Sequence, residues 1–289
     1  MCSQLTADEV SVLISFKQWI VAQQHLNHPK LDDKFLLRFL RNRKFNLQNA
    51  CEMFEKYLKV RHLYPHCYQN LDINDCNVVD LFRRGYLFPL LERDPKGRTV
   101  IFVRSAIFNQ KYGHKPTDLF RAITMTFEVL LDDELCQTNG FVYVFDQQNV
   151  CLSQVSYLGI REIQLLLQSG EKCLPVRHKE VHWLHLPFVI STIFYLIAGF
   201  VSEKLRKRLH FHSDLKSLHK TVPANILPEE YGDCHIYVQL LFTVYFLKGG
   251  KVSWKCMAHK WLKQLQENRE KLISLDSMSL NNSRNEALK

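Results

Sequence analysis

The sequence lacks the short motifs that most often carry catalysis or nucleotide binding. It contains no G-x-G-x-x-G, no G-x-x-x-x-G-K-[ST], no G-x-S-x-G and no H-E-x-x-H. Dinucleotide binding, phosphate-loop chemistry, serine hydrolysis and zinc proteolysis therefore have no local signature in this chain. We expect a protein that is not an enzyme, with no catalytic residues and no cofactor.

Paired cysteines and a long membrane-spanning run are also missing. The nine cysteines are scattered without a C-x-x-C pair, which argues against a zinc finger or a disulfide framework and favours free thiols. The first residues do not combine a basic segment with an apolar run, so we expect no secretory signal and a cytoplasmic protein.

What the sequence does have is apolar content and positive charge. Of its 289 residues 46% are apolar, which suffices for the core of one large or two modest domains. Lys and Arg outnumber Asp and Glu by 38 to 29, for a net charge of +9. This balance favours anionic partners, namely phospholipid headgroups, nucleic acid or acidic proteins.

An apolar segment over residues 187–202 stands out because it contains no Lys, Arg, Asp or Glu. It begins at Pro187 and runs into a basic cluster that holds Lys204 and Arg208. A helix of about 15 residues is roughly 22 Å long, which is short for a ~30 Å hydrocarbon core. The interpretations are a buried core helix, a lid or interfacial helix and, least favoured, a true membrane span. Apolar residues beside positive charge favour a membrane surface.

The first part of the chain predicts a small helical bundle. A helix over 7–24 starts at a capping box formed by Thr6 and Glu9, a second helix follows Asp32, and Asn46 caps a third. We divide the chain into an N-terminal bundle (1–75), a central domain (76–235) and a C-terminal extension (236–289) that packs on the body and ends in a loose tail.

Strands then alternate with helices, which indicates an α/β domain. The turn at residues 93–98 predicts a hairpin, and residues 141–146 (FVYVFD) predict a strand that is buried on both faces. Helices are expected over 116–135 and 156–170, with another strand over 181–187.

Five motifs in this order resemble the CRAL-TRIO lipid-transfer family. They are RFLRNRKFNLQNA at 38–50, the D-P-K-G-R hairpin at 94–98, the strand that ends at Asp146, the basic segment with its strand, proline and apolar helix, and ILPEEYGD at 226–233. The similarity covers roughly residues 5 to 235. It implies an N-terminal helical bundle followed by an α/β domain whose mixed sheet floors a hydrophobic cavity for one lipid, which a helical gate closes.

The resemblance also implies site residues. The gate is similar to residues 187–201, and in the tocopherol-transfer branch a basic patch binds a phosphoinositide headgroup at positions that correspond to Arg177, Lys179, Lys204 and Arg208. The lipid cavity would be lined by Phe120, Ile123, Phe127, Phe141, Phe145, Leu166, Leu174, Val181, Phe188 and Phe194. The implied partners are a hydrophobic small-molecule lipid and an anionic, phosphoinositide-containing membrane surface that a monomer visits transiently.

Two departures and two rival interpretations accompany this resemblance. Ile123 and Phe127 stand where the tocopherol branch has small hydroxyl residues. Gln147-Gln148-Asn149 stand where that branch has a Gly shortly after the Asp of the central strand. The bulky groups predict a narrower or reshaped cavity. The histidines at 178, 182 and 185 are more compatible with hydrogen-bonded side chains than with a metal site, because 182 and 185 point to opposite faces of a strand. A nucleic-acid-binding protein and an adaptor with a collapsed cavity remain the alternatives.

Overall fold

The computed structural model describes residues 4–188, 190, 191, 193, 199–232 and 250–280. Its N-terminal region is helical, as predicted. Thr6 and Glu9 form the predicted capping box, while Asp32 and Asn46 cap the next two long helices. The elements are α1 (Ala7–Ala22), β1 (Leu26–Asn27), α2 (Asp33–Asn42), α3 (Leu47–Leu63), α4 (Pro65–Tyr68) and α5 (Cys76–Arg83).

A five-stranded mixed sheet follows, which confirms the predicted fold class. The strands are β2 (Leu87–Pro89), β3 (Thr99–Arg104), β4 (Phe141–Asp146), β5 (His178–Leu184) and β6 (Leu209–His212). The order is β2-β3-β4-β5-β6. The predicted hairpin pairs β2 with β3 in antiparallel fashion, and the other neighbours are parallel. β6 directly follows the basic segment, where the sequence had indicated no strand.

Two helix predictions need correction in their bounds. The predicted helix over 116–135 divides into α6 (Pro116–Leu130) and α7 (Glu134–Asn139), because Asp133 caps a new helix. The predicted helix over 156–170 is α9 (Ile160–Lys172), preceded by α8 (Leu152–Leu158). Gly159 separates α8 from α9 with a φ of 78°, which a residue without Cβ adopts freely. Two short helices flank β6, namely α10 (Glu203–Arg206) and α11 (Leu215–His219).

The last described part of the chain packs back onto the body. It contains α12 (Trp254–Glu267), α13 (Arg269–Ser274) and β7 (Ser279–Leu280), and β7 pairs with β1. Trp254 fixes the start of α12, because the guanidinium of Arg104 lies 3.7 Å from its ring centroid. A Cβ at Gly85 would come within 2.6 Å of the same ring, so this docking requires glycine there.

Much of the predicted apolar helix and of the C-terminal extension lies outside the described residues. In the described part of residues 187–202, Phe188 is 89% exposed and Ile190 is buried. Their helical backbone begins after Pro187, whose carbonyl accepts from the amides of Ile190 and Ser191. Among the described residues, no helix has the length and hydropathy needed to cross a membrane.

Candidate functional site

An apolar cavity of about 300 Å³ lies on one face of the sheet. Because successive side chains of a strand point to opposite faces, alternate residues of the sheet form the floor. The floor residues are Ile101 and Val103 on β3, Tyr143 and Phe145 on β4, Val181 and Trp183 on β5, and Leu209 on β6. This volume is at the lower end of the range of small-molecule sites.

Helices form the other walls of the cavity. Ile123 and Phe127 contribute from α6 at i, i+4 spacing, and Ile163 and Leu166 contribute from α9. Of the residues predicted to line the cavity, the structure brings together Ile123, Phe127, Phe145, Leu166, Leu174 and Val181. The two bulky residues of α6 therefore do face the cavity.

Three predicted lining residues lie elsewhere. Phe120 is buried against Tyr68 and Val60, on the side of α6 that faces the N-terminal helices. Phe141 is the first residue of β4. It packs edge-on against Phe127, with 5.4 Å between the ring centroids, and lies behind the Phe127 ring that faces the cavity. Phe188 points to solvent. The remaining predicted lining residue, Phe194, lies outside the described residues.

Polar groups that the sequence analysis did not assign also line the cavity. The Tyr143 hydroxyl lies 2.7 Å from Nδ1 of His178, whose Nε2 lies 3.0 Å from the Gly170 carbonyl. The position of Tyr143 in the cavity could have been predicted, since it alternates with Phe141 and Phe145 on β4. The position of His178 could not. A bulge leaves Lys179 without a partner on β4, so the side chain of His178 faces the cavity although the other cavity-facing residues of β5 are odd-numbered.

A second polar pair at this end of the cavity joins Tyr68 of α4 to Ser169 of α9. The Tyr68 hydroxyl and the Ser169 hydroxyl are hydrogen-bonded, and Ser169 Oγ also donates to the Leu165 carbonyl at 2.6 Å. Tyr68 lies in the N-terminal region, and no local pattern indicates that it reaches a cavity in the next domain.

The four predicted basic residues come together near the start of β5, and we call them the basic cluster. Burial lowers the pKa of Lys179, and the positive charges of Arg177, Arg208, Arg98 and Lys204 lower it further. Burial also lowers the pKa of Arg177. Within the described residues, none of the four forms an ion pair with a carboxylate, so their charges are not neutralised there.

The two arginines of the basic cluster also support the fold. Arg177 donates to the carbonyls of Thr138, at 2.8 Å, and of Arg41. Arg208 donates to the His178 carbonyl. Lys204 is exposed on α10, and the terminal carbon of Lys179 would lie 3.0 Å from a Cβ at Gly140. In the described part of the chain neither lysine ammonium makes a hydrogen bond or an ion pair, whereas the arginines use part of their donors on backbone carbonyls.

His182 and His185 are also hydrogen-bonded, and His182 lies on the face of the sheet opposite the cavity. His182 Nδ1 lies 2.9 Å from Nε2 of His212, and the two rings stack with 5.2 Å between centroids. His185 Nδ1 lies 3.1 Å from Asp146 Oδ1. No group of three or more potential ligands in the described parts of the chain could hold a metal ion.

These features define an α/β protein with an internal apolar cavity beside an unneutralised basic cluster. The chain belongs to the CRAL/TRIO domain family, since the model of the CRAL/TRIO domain matches residues 83–232. A second model, described as Pinta-like, UBA domain, matches residues 7–78.

Individual relatives agree with this assignment. The alpha-tocopherol transfer protein-like protein of Mus musculus is 37% identical over 206 residues, which cover 70% of this chain and 58% of the relative. Clavesin-1 of Xenopus laevis is 31% identical over 217 residues, which cover 75% of this chain and 65% of the relative. The match thus spans less than two thirds of each relative. The crystal structure of Sfh5 has a similar fold, with a TM-score of 0.56 at 14% identity over 92% of this chain and 99% of that one.

Proposed function

We propose that this protein holds one hydrophobic lipid in its cavity and carries it between membranes, docking through the basic cluster on phosphoinositide-containing surfaces. The observation that supports this most directly is the cavity itself. The surface that its floor and walls expose to the cavity is almost entirely apolar, and burying such surface against a lipid is favourable at about 25 cal/mol per Å².

The basic cluster supports the docking step. Positive charges that lower the pKa of Lys179 would be relieved by a bound phosphate, which would raise that pKa again. Arg177 and Arg208 are fixed by backbone carbonyls, so little side-chain entropy is lost when they meet an anion. An interfacial position for the segment that starts at the exposed Phe188 would place apolar surface near the same membrane.

The lipid-binding step is tested by native mass spectrometry of the purified protein and by thermal unfolding with retinoids, tocopherols and phosphatidylinositol. A ligand that binds only the folded state raises the melting temperature by mass action. We expect a one-to-one non-covalent complex and a higher melting temperature. If no lipid of the panel co-purifies or raises the melting temperature, the proposal is wrong.

A matched pair of variants tests whether the ligand that raises the melting temperature binds in this cavity. Ile123→Trp fills part of the cavity and should abolish the ligand-induced rise in melting temperature. Ile14→Trp makes the same change at a residue of α1 that is 51% exposed and should retain the rise. Binding to RNA that weakens with salt, with no response to liposomes, would instead support nucleic-acid binding by the basic surface.

A further inference from the structure

The polar end of the cavity restricts the chemical class of the ligand, and this inference rests on the function proposed above. We infer that the bound lipid carries a hydroxyl group and donates its proton to the phenolic oxygen of Tyr143 or of Tyr68. Both tyrosines line the cavity. Their hydrogen bonds end on adjacent residues of α9, Ser169 and Gly170.

We call the two hydrogen-bonded chains relays: the first runs from Tyr143 through His178 to the Gly170 carbonyl, and the second from Tyr68 through Ser169 to the Leu165 carbonyl. The proton positions in the first relay follow from its last acceptor. A backbone carbonyl can only accept, so the hydrogen bond from His178 to Gly170 places a proton on Nε2. Burial lowers the pKa of His178, so the ring is neutral at physiological pH and its Nδ1 carries no proton. Nδ1 therefore accepts from the Tyr143 hydroxyl at 2.7 Å. Burial also raises the pKa of Tyr143 well above its usual value, so this phenol keeps its proton.

The second relay has the same direction. Ser169 Oγ lies 2.6 Å from the Leu165 carbonyl, which again can only accept, so the serine proton points there. Ser169 must then accept from the Tyr68 hydroxyl. In both relays the tyrosine proton is committed to a protein acceptor, and only oxygen lone pairs remain for a ligand.

Each relay therefore offers a ligand an acceptor and no donor, which distinguishes between ligands. A lipid alcohol or phenol can donate to either oxygen, whereas an aldehyde, ketone, ester or ether presents lone pairs to lone pairs. The other polar groups of the lining, such as the hydroxyls of Tyr86 and Thr124, belong to neither relay. The Gln154 amide donates to the carbonyls of Ala106 and Phe108. Ser105 lies four residues beyond Ile101, the partner of Tyr143 on β3, so it is about 13 Å farther along the sheet.

The experiment compares farnesol with its methyl ether and its aldehyde, farnesal. The three probes share one hydrocarbon chain and differ only in the end group. Dissociation constants are measured by displacement of a fluorescent lipid. One net hydrogen bond corresponds to roughly a fivefold to tenfold difference in affinity, so we expect farnesol to bind tighter than the other two by about that factor.

Three isosteric variants assign the preference to the relays. Tyr143→Phe and Tyr68→Phe each remove one acceptor and should reduce the preference for farnesol, while binding of the methyl ether is unchanged. Tyr157→Phe is the matched control. Tyr157 is not among the residues that line the cavity, and its hydroxyl donates to the His114 carbonyl at 2.9 Å, so this variant should keep the preference. Thermal unfolding of each variant verifies that it is folded.

The outcomes separate this inference from the function on which it rests. Equal binding of the three probes, or tighter binding of the ether or the aldehyde, overturns the hydroxyl assignment and leaves lipid binding intact. A preference that persists in the Tyr143→Phe, Tyr68→Phe double variant, or that is lost only in Tyr157→Phe, also overturns it. Failure of all three probes and of the wider lipid panel overturns lipid binding itself.

Discussion

The guanidinium of Arg38 on α2 donates a 2.7 Å hydrogen bond to the carboxylate of Glu128 on α6. The exposed fractions of these side chains are 1% and 2%. Tyr57 donates to the other oxygen of the carboxylate at 2.9 Å, and Asp132 accepts a second bond from Arg38. Burial alone would raise the pKa of Glu128, but the charges of Arg38 and Arg61 outweigh it and lower that pKa. The N-terminal helices are thus joined to the helix that forms one wall of the cavity.

We expect Arg38→Ala to lower the free energy of unfolding by about 3–5 kcal/mol, because it leaves a buried carboxylate without its partner. Urea unfolding followed by circular dichroism measures this. The control is Glu203→Gln, which breaks the exposed pair with Lys207 and should change stability by less than about 1 kcal/mol. Equal effects of the two variants would contradict the role assigned to the buried pair.

Local patterns in the sequence predicted the elements, and they could not predict which elements meet. The Thr6–Glu9 capping box involves neighbouring residues, so the start of α1 was predictable. Arg38 and Glu128 are 90 positions apart, and no pattern in either segment indicates that the two residues pair. Phe120 was assigned to the cavity through the resemblance to a family, and neither that resemblance nor helical spacing shows which neighbour its side chain contacts, which is Tyr68.

The basic cluster was predictable only through the resemblance to a family. Its members lie in two segments about 30 residues apart, which the parallel pairing of β5 with β6 brings together. The bulge at Lys179 could not be predicted, because it depends on the register between β4 and β5. That bulge brings His178 into the cavity and so determines the relay to Tyr143.

We expect Phe188→Asp to slow lipid transfer between vesicles by about tenfold or more while leaving thermal stability unchanged. Phe188 is 89% exposed, so its replacement removes no core contact, whereas inserting a phenyl group into a membrane is worth roughly 1.5–3 kcal/mol. Val21→Asp, at a residue of α1 that is 67% exposed, is the control and should transfer at the wild-type rate. An unchanged transfer rate in folded Phe188→Asp would remove this residue from the membrane contact.

The stability of the fold should fall in mild acid because of His182. This side chain is fully buried, and burial, followed by the charges of His210 and His212, lowers its pKa from 6.5 to about 4. Glu180 faces the same ring, and Arg98 lowers the pKa of that carboxyl to about 2. Below pH 6.5 the unfolded chain therefore takes up a proton that the folded protein takes up only near pH 4. The loss over this interval is up to about 3 kcal/mol, and above it the contribution is fully present.

Urea unfolding as a function of pH checks this prediction. His182→Gln should flatten the stability profile between the two pKa values, since glutamine does not titrate. The exposed His66 provides the control, and His66→Gln should keep the wild-type slope. A wild-type slope in His182→Gln would assign the acid sensitivity to other groups.

The basic cluster should determine membrane docking without affecting the cavity. Near an anionic surface each Lys or Arg contributes about 1 kcal/mol, so Lys179→Ala, Lys204→Ala and Arg208→Ala together should weaken binding to phosphatidylinositol-bisphosphate liposomes roughly a hundredfold. Sedimentation with such liposomes measures the loss, which should shrink as added salt shortens the ~8 Å screening length. The triple variant should still retain its lipid.

Arg177→Ala and a second triple variant distinguish the effect of the basic cluster on docking from effects on the fold and on net charge. Arg177→Ala should lower the melting temperature as well as liposome binding, because it releases the carbonyls of Thr138 and Arg41. Replacing the exposed lysines of α12 by alanine changes the net charge by the same amount as the first triple variant and should leave docking nearly unchanged; they are Lys255, Lys260 and Lys263. Equal sedimentation of the two triple variants would mean that net charge, rather than the basic cluster, attracts the protein to the membrane.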